Sequence, residues 1–482
     1  GGAAVLDETC YLWRHHATTG TLYSSRYDVY VPCSENRFAC FGFKDTYANG
    51  VMNFAHLREG VPVVNTPHGS LTKTGSWASF SESQAYGGSV AYSSAAATET
   101  ISGTIAGHTL LVRAWLQTTG GYALVTIDGS PTAANRCPRV TQAQVDAGYF
   151  AAADLGKCYV DFSAAVVYGD EHLVLAEGLS DTDHVVTLSG VGAAQIPPPG
   201  ATGKLLNVAA LAGARYHTRP TDANASMGFT RDVSNIRGGH SATTVVVSFA
   251  PTGFLGNQQL LGENHLFEAQ TAAAFTVDGA AATLEPGAYL SGQRIVLTRT
   301  TLLNHPNAAA CATKRVVYTA CAANPMQLVA RGLLAWNVAG EMADGYFGML
   351  PVFTRNVGSG LLENLEFDRG LVGERVVADL TPNAGAEYRV PGADILAVYS
   401  TRHDTVALAH MSRPDLNVNN FVRSDPAFTF LRDVGSGGEK GYFTRSTPTT
   451  KEPLAAGATQ AFEVGWRVFR LARARQLLEL AP

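Results

Sequence analysis

The densest group of chemistry-bearing side chains is the run Gly262-Glu263-Asn264-His265-Leu266-Phe267-Glu268. It sets acids, an amide and an imidazole side by side in a chain that is only 16% charged, against roughly 25% in an ordinary soluble domain. A carboxylate beside a histidine raises the imidazole pKa and suits general acid-base work. On a strand Glu263 and His265 share a face, whereas His265 and Glu268 point to opposite sides. Arg299 and His305 follow the next hairpin and would return beside the run if the strands pair antiparallel. A glycosidase needs two carboxylates flanking the bond, about 5 Å apart for retention and about 6.5–9.5 Å for inversion. Elimination from a uronate needs a His or Tyr base and an Arg or Asn to neutralise the carboxylate. Tyr216-His217, Arg237, His240 and Arg299 supply those types. The same residues also suit solvated or structural positions, and the sequence leaves both open.

Aromatic residues in polar or Gly/Ser surroundings are candidate platforms for sugar rings. Trp13, Trp77, Tyr86 and Tyr92 have that setting, as do Tyr216 and Tyr346 beside the chemistry-bearing runs. Trp115, Trp336 and Trp466 sit in alternating apolar contexts and read as core. Asn65-Thr-Pro-His68-Gly-Ser70 is not a nucleophile elbow. His403-Asp404 and His410 fit no metal spacing, and His15-His16 beside Trp13 and Tyr23 reads as a loop. There is no phosphate-binding loop and no dinucleotide fingerprint. No metal site is expected, and the cofactor stays unknown.

The elements that would position these groups have mostly period two. Tyr122-Ala-Leu-Val-Thr-Ile127 runs into Asp128-Gly129, and Phe275-Thr-Val277 into Asp278-Gly279, both strong hairpin signals. Further strands are expected at 185–189, 243–249, 294–298, 315–318 and 395–399. A short helix would fit 326–338, although Trp336-Asn-Val338 could equally start a strand, and a helix is expected at 469–480. The fold class is therefore all-β, with two or more β-sandwich, jelly-roll-like domains and a short C-terminal helix. Pro197-Pro-Pro-Gly200 reads as a stiff connector. It divides the chain into an N-terminal region (1–75), a first sandwich (76–196) and a large second β domain (201–482).

Seven cysteines form no Cys-x-x-Cys unit. Cys311 with Cys321, and Cys137 with Cys158, are candidate disulfides. Buried reduced thiols are the alternative. Disulfides would favour an extracellular setting. No apolar run reaches the ~18–20 residues of a membrane helix, so no membrane insertion is expected. A net charge of −5 argues against a surface built wholly for nucleic acid.

Two stretches carry a resemblance. Asp128-Gly129, Cys158-Tyr-Val-Asp161, Leu173-Val-Leu-Ala-Glu-Gly-Leu179 and His184-Val-Val-Thr-Leu188 together resemble the jelly-roll modules of carbohydrate-active enzymes and phage tail proteins. Here Asp181-Thr-Asp183 replaces the glycine expected before the histidine. His184 is read as a strand-start histidine with its hydrogen bond satisfied. The run 262–279 with Gly345-Tyr346-Phe347-Gly348-Met349-Leu350-Pro351 is similar to phage tail-fibre and tailspike-associated proteins. The resemblance implies an extracellular or virion-associated homo-oligomer that engages a surface polysaccharide. A polysaccharide lyase or glycoside hydrolase on the same scaffold, and a purely structural virion protein, are the alternatives.

Overall fold

The computed structural model describes residues 9–15, 26–34, 37–45, 51–83, 85–94, 96–164, 167–235, 245–262, 267–353, 369–372, 375–377, 388–391, 394–400, 405–411, 427–432, 438–444 and 451–470. These residues form an all-β protein of antiparallel sheets that divides into two compact units. Of the described residues, one unit takes those of Gly60–Arg231 and the other joins those up to Glu59 with those from Asp232 onward.

The chain opens with β1 (Cys10–Arg14), β2 (Arg26–Ser34) and β3 (Arg37–Asp45), paired in sequence order. Successive side chains of a strand face opposite sides. Leu12, Val29, Val31, Ala39, Phe41 and Phe43 accordingly enter the core of the first unit. β4 (Met52–Pro67) follows, and the unit boundary falls inside it, between Glu59 and Gly60.

The second unit is a sandwich. One sheet contains β5 (Trp77–Ser81), β6 (Ser89–Ser93), β7 (Thr109–Leu116), β8 (Tyr168–Glu177) and β9 (Leu206–Ala214). β9 pairs with β7 on one edge, and with β6 and then β4 on the other. β10 (Ala225–Asn235) follows, and the unit boundary falls inside it, between Arg231 and Asp232. The facing sheet holds Thr72–Thr74, Thr100–Ala106, Tyr122–Ile127, Tyr159–Asp161 and Asp183–Gly190. Val112, Ala114, Leu173, Leu175, Val208 and Leu211 meet Ile101, Val125, Val186 and Leu188 between the sheets. Asp128 and Gly129 both adopt positive φ, 52° and 75°, as a type I′ hairpin requires. His184 has both ring nitrogens bonded, Nδ1 to Asp128 at 2.8 Å and Nε2 to the Ser180 carbonyl at 3.0 Å, so its structural reading holds.

The Pro197-Pro-Pro-Gly200 boundary is corrected by this pairing. β7 lies before the connector and β9 after it, yet they are neighbours in one sheet. The stiff segment links strands within one unit and separates no domains. The division at residue 75 fails for the same reason, because β4 pairs with β9 through Val64–Pro67.

The rest of the first unit contains β11 (Glu268–Val277), β12 (Tyr289–Gly292), β13 (Arg294–His305), β14 (Ala308–Cys321), β15 (Leu328–Trp336) and β16 (Thr459–Arg470). β11, β13, β14, β15 and β16 are consecutive in one sheet. Asp278-Gly279 is again a hairpin with φ of 49° and 85°. The segment 326–338 holds the strand Leu328–Trp336 and no helix, and Trp336 ends that strand instead of starting one. Phe469 and Arg470 end β16, so the helix expected from 469 does not start there; 471–482 lie outside the described residues. The α-helix among the described residues, Gln142–Asp146, opens on a capping box between Thr141 and Gln144, a signal present in the sequence.

Both disulfide expectations are overturned, since all seven cysteines are free. Cys311 and Cys321 lie on the single strand β14. At about 3.3 Å per residue, ten residues of strand exceed several-fold the ~7 Å Cα limit for a disulfide. The Cys137 thiol donates to the Leu175 carbonyl at 3.7 Å. Alkylation of the denatured, unreduced protein should therefore label seven thiols. A mass showing five or fewer labels would reveal a bond this fold excludes.

Candidate functional site on the β1–β3 face

One face of β1, β2 and β3 feeds the core. The other carries side chains of a different kind, set in rows by the antiparallel register. Tyr289 of β12, Trp13 of β1, Asp28 of β2 and Gly42 of β3 form one row. Ser291, Tyr11, Tyr30 and Cys40 form the next. Arg26 faces Lys44 in a third, where the His15 N–H bonds the Arg26 carbonyl at 3.0 Å.

Asp28 is the hub. Its Oδ2 lies 2.8 Å from His15 Nε2, 3.4 Å from the Tyr30 hydroxyl and 3.5 Å from Arg26. Trp13 stacks on Tyr289 with ring centroids 5.7 Å apart and a 10° interplanar angle. It also contacts the His15 ring at 3.7 Å. Asp28, Tyr30 and Cys40 are fully buried and Lys44 and Arg58 nearly so. Trp13, His15, Arg26 and Tyr289 are half-buried and form the rim.

The surroundings shift several groups. Burial, followed by the Arg26 charge, lowers the His15 pKa to about 4 against the opposing pull of Asp28. His15 is thus neutral at pH 7. Its Nε2 proton is directed at Asp28, which leaves Nδ1 as the basic nitrogen. Burial, then Arg26 and Arg58, lowers Lys44 to about 7. Burial, then Asp28, pushes the Tyr30 hydroxyl and the Cys40 thiol up, so both keep their protons. A neutral imidazole on a carboxylate, two guanidinium groups and a stacked aromatic pair can hold an anionic, ring-bearing ligand and move a proton.

The residues expected from the sequence fall elsewhere. Glu263, His265 and His240 lie outside the described residues. Glu268 and Arg299 do come together, but inside the sandwich. Glu268 is 2% exposed; Arg299 and Lys314 are 0% exposed. Glu268 pairs with Lys314 at 2.8 Å and accepts the Thr301 hydroxyl. Arg299 donates to the Met52 carbonyl. Burial alone would raise the Glu268 pKa, but Lys314 and then Arg299 outweigh it and hold the carboxyl ionised. This is a buried ion cluster, closed off from solvent. The expected catalytic role of Glu268 and Arg299 is corrected to a structural one, because alternation along β13 aims Arg299 inward with Ile295, Leu297 and Leu303.

His305 is also structural. Nε2 donates to the Asn257 carbonyl at 2.9 Å and Nδ1 accepts the Asn307 N–H at 3.1 Å. Both nitrogens are committed, so it has none free for catalysis. In the second unit His217 is exposed, and Tyr216 stacks on His108 at 4.3 Å. Trp77 donates to the Thr74 carbonyl at 3.0 Å and packs on the second core. Tyr346 lies on the strand Gly340–Phe353 opposite Val246 and Thr444. The expected residues are therefore not assembled into one cleft. The β1–β3 face was missed because Trp13-Arg-His15 reads as a loop. The signal was period two: Tyr11, Trp13 and His15 alternate, as do Arg26, Asp28 and Tyr30. Among the described residues no three His, Cys, Asp or Glu gather as a metal site, and no helix is long and apolar enough to cross a membrane.

No protein-family model matches the chain, and no curated protein does. Solved structures give loose likenesses. The GH36 α-galactosidase of Geobacillus stearothermophilus aligns at TM-score 0.30 and 10% identity, over 49% of this chain and 30% of that one. The α-galactosidase of Lactobacillus brevis gives 0.30 and 7%, over 50% and 31%. A galactose mutarotase-like protein of Lactobacillus casei gives 0.23 and 11%, over 47% and 98%. The chain thus spans about a third of the α-galactosidases' length, and superpositions this loose assign it neither a family nor a function.

Lys44 makes a pH prediction. Unfolded, it holds its proton up to about 10.5; folded, it releases it near 7. Unfolding therefore takes up a proton between those values, and stability gains with pH across that window. In Lys44→Met the denaturation midpoint should lose this rise between pH 7 and 10. An identical pH profile would show that Lys44 keeps its charge when folded. The ion cluster makes a second. Lys314→Met alone should cost about 3–5 kcal/mol by stranding Glu268, whereas Lys314→Met with Glu268→Leu should cost less. Urea melts with equal losses for the two would contradict the pairing.

Proposed function

We propose that this chain binds a glycan through the β1–β3 face of the first unit, and that the glycan is acidic. One observation carries the reading. The stacked Trp13–Tyr289 pair stands beside the His15–Asp28 bond and Arg26, on a sheet face whose reverse side is core. Aromatic faces suit the C–H side of a pyranose ring, and guanidinium groups suit a carboxylate. An extracellular or virion-associated setting, with surface polysaccharide as the glycan, belongs to this proposal. The cysteines no longer argue for it, since none is bonded to another.

His15 favours a second reading, elimination by a polysaccharide lyase. The neutral imidazole would take the proton α to a uronate carboxylate while Arg26 and Arg58 offset its charge. The electron pair then forms the sugar double bond, the glycosidic C–O bond breaks, and the departing oxygen is protonated from water.

Calorimetry with polygalacturonate, alginate and hyaluronate against neutral dextran tests the binding. At least one acidic polymer should bind and dextran should not. Trp13→Ala and Arg26→Gln should each weaken binding about tenfold. No acidic polymer bound, or equal affinity for dextran, rejects the proposal. Ultraviolet absorbance of an unsaturated product, lost in His15→Gln, would select the lyase reading over binding alone.

A further inference from the structure

The second unit holds another polar cluster that the reading above does not use. Alternation separates the two faces of its sheet. Val112, Ala114, Leu206 and Val208 face the sandwich core. Arg113 and Trp115 of β7, and Asn207 and Ala209 of β9, therefore face outward. Trp115 and Ala209 pack there with Ala85, Val90, Phe80 and Tyr86.

Arg113 is the centre of this outer face. Its Nε donates to Asp170 Oδ1 at 2.7 Å, and its Nη2 pairs with Oδ2. Nη1 donates to Ser226 at 2.7 Å and to Asn65 Oδ1 at 3.2 Å. The guanidinium lies 4.5 Å over the ring of Tyr86. Tyr86 is half-buried, packed in part on Trp115 and its neighbours, and keeps the rest of its ring exposed. Asp170 sits where the β8 register shifts between Tyr168 and Glu171, with φ of 55°. Positive φ on a non-glycine residue is strain, and bulges re-aim side chains. The Asp170 side chain retains 24% exposure. Burial would raise its pKa, but Arg113, then His172, hold it below the usual carboxylate range. It is a fixed acceptor for hydroxyl groups.

Asn207 supplies a second, independent observation. It is fully buried, and neither its amide oxygen nor its amide nitrogen has a hydrogen-bond partner among the described residues. Each unmet polar atom costs about 1–3 kcal/mol. Its register partner is Tyr92 of β6. Phe80 lies 5.9 Å from both Tyr92 and Trp115. One donor and one acceptor among aromatic rings match an acetamido group, whose methyl the rings would enclose. Phe80 and Tyr92 are half-buried and form the layer such a group would displace.

We propose that this outer face binds an N-acetylated amino sugar, with Tyr86 as platform, Asp170 as hydroxyl acceptor and the Asn207 amide as partner of the acetamido group. The inference rests on the glycan reading for its ligand class, but it places a different sugar on a different unit.

Calorimetry of the full chain with N,N′-diacetylchitobiose tests it, with cellobiose as the same ring geometry lacking acetamido groups. Diacetylchitobiose should bind and cellobiose should not. Asn207→Leu should weaken binding about tenfold or more while its Tm stays at or above that of the wild type. If that variant does not fold, Tyr86→Leu reads the same loss at the half-exposed platform. No binding by the wild type, equal affinity for cellobiose, or undiminished affinity in Asn207→Leu or Tyr86→Leu overturns the proposal. Acidic-polymer binding is measured on the same samples. Its absence with diacetylchitobiose binding intact rejects the first-unit reading alone. The reverse pattern rejects this one alone.

Discussion

Everything in this molecule depends on one constraint: a strand has two faces, and only one can feed a given core. β1, β2 and β3 spend Leu12, Val29, Val31, Phe41 and Phe43 on the first core. Antiparallel register then obliges Trp13, Asp28 and Gly42, or Tyr30 and Cys40, to stand side by side on the reverse. The same alternation in β13 turns Arg299 inward, where it meets Glu268 and Lys314. A charged residue in a strand is therefore a site component or a core component according to parity alone. Both outcomes occur here within one unit.

The fold class was legible for the same reason. Period-two runs ending in Asp-Gly gave two hairpins at the expected positions, since only positive φ at both residues matches strand twist. Domain organisation was not legible. A proline triplet reports local stiffness, and it carries no information about which strands pair across it. β7 and β9 are neighbours on either side of Pro197-Pro-Pro-Gly200. The cysteines failed similarly. Ten residues between Cys311 and Cys321 close a small loop only if the chain turns, and β14 does not turn.

The candidate site was legible only in parts. Trp13 and Tyr86 were recognisable from their polar surroundings, and each has a stacking partner, Tyr289 for the one and the Arg113 guanidinium for the other. Tyr289 carries no local signal, because what unites it with Trp13 and Asp28 is register across strands distant in sequence. His305 was misjudged because residue type says nothing about committed lone pairs. Two short bonds to the Asn257 carbonyl and the Asn307 amide decide its character.

The first unit is built from both ends of the chain, with the second unit inserted between them. Trp13 acquires its stacking partner only from Tyr289. During synthesis the amino-terminal strands must then wait, with their apolar face uncovered, while the whole inserted sandwich emerges. The second unit carries its own core and can order during that interval. Its ordering shortens the effective loop that joins the two halves of the first, which lowers the entropic cost of closing it. A nascent chain stopped before residue 289 carries the His15–Asp28 residues without the ring that Trp13 rests on, so the aromatic pair of that face is completed late in the life of the molecule.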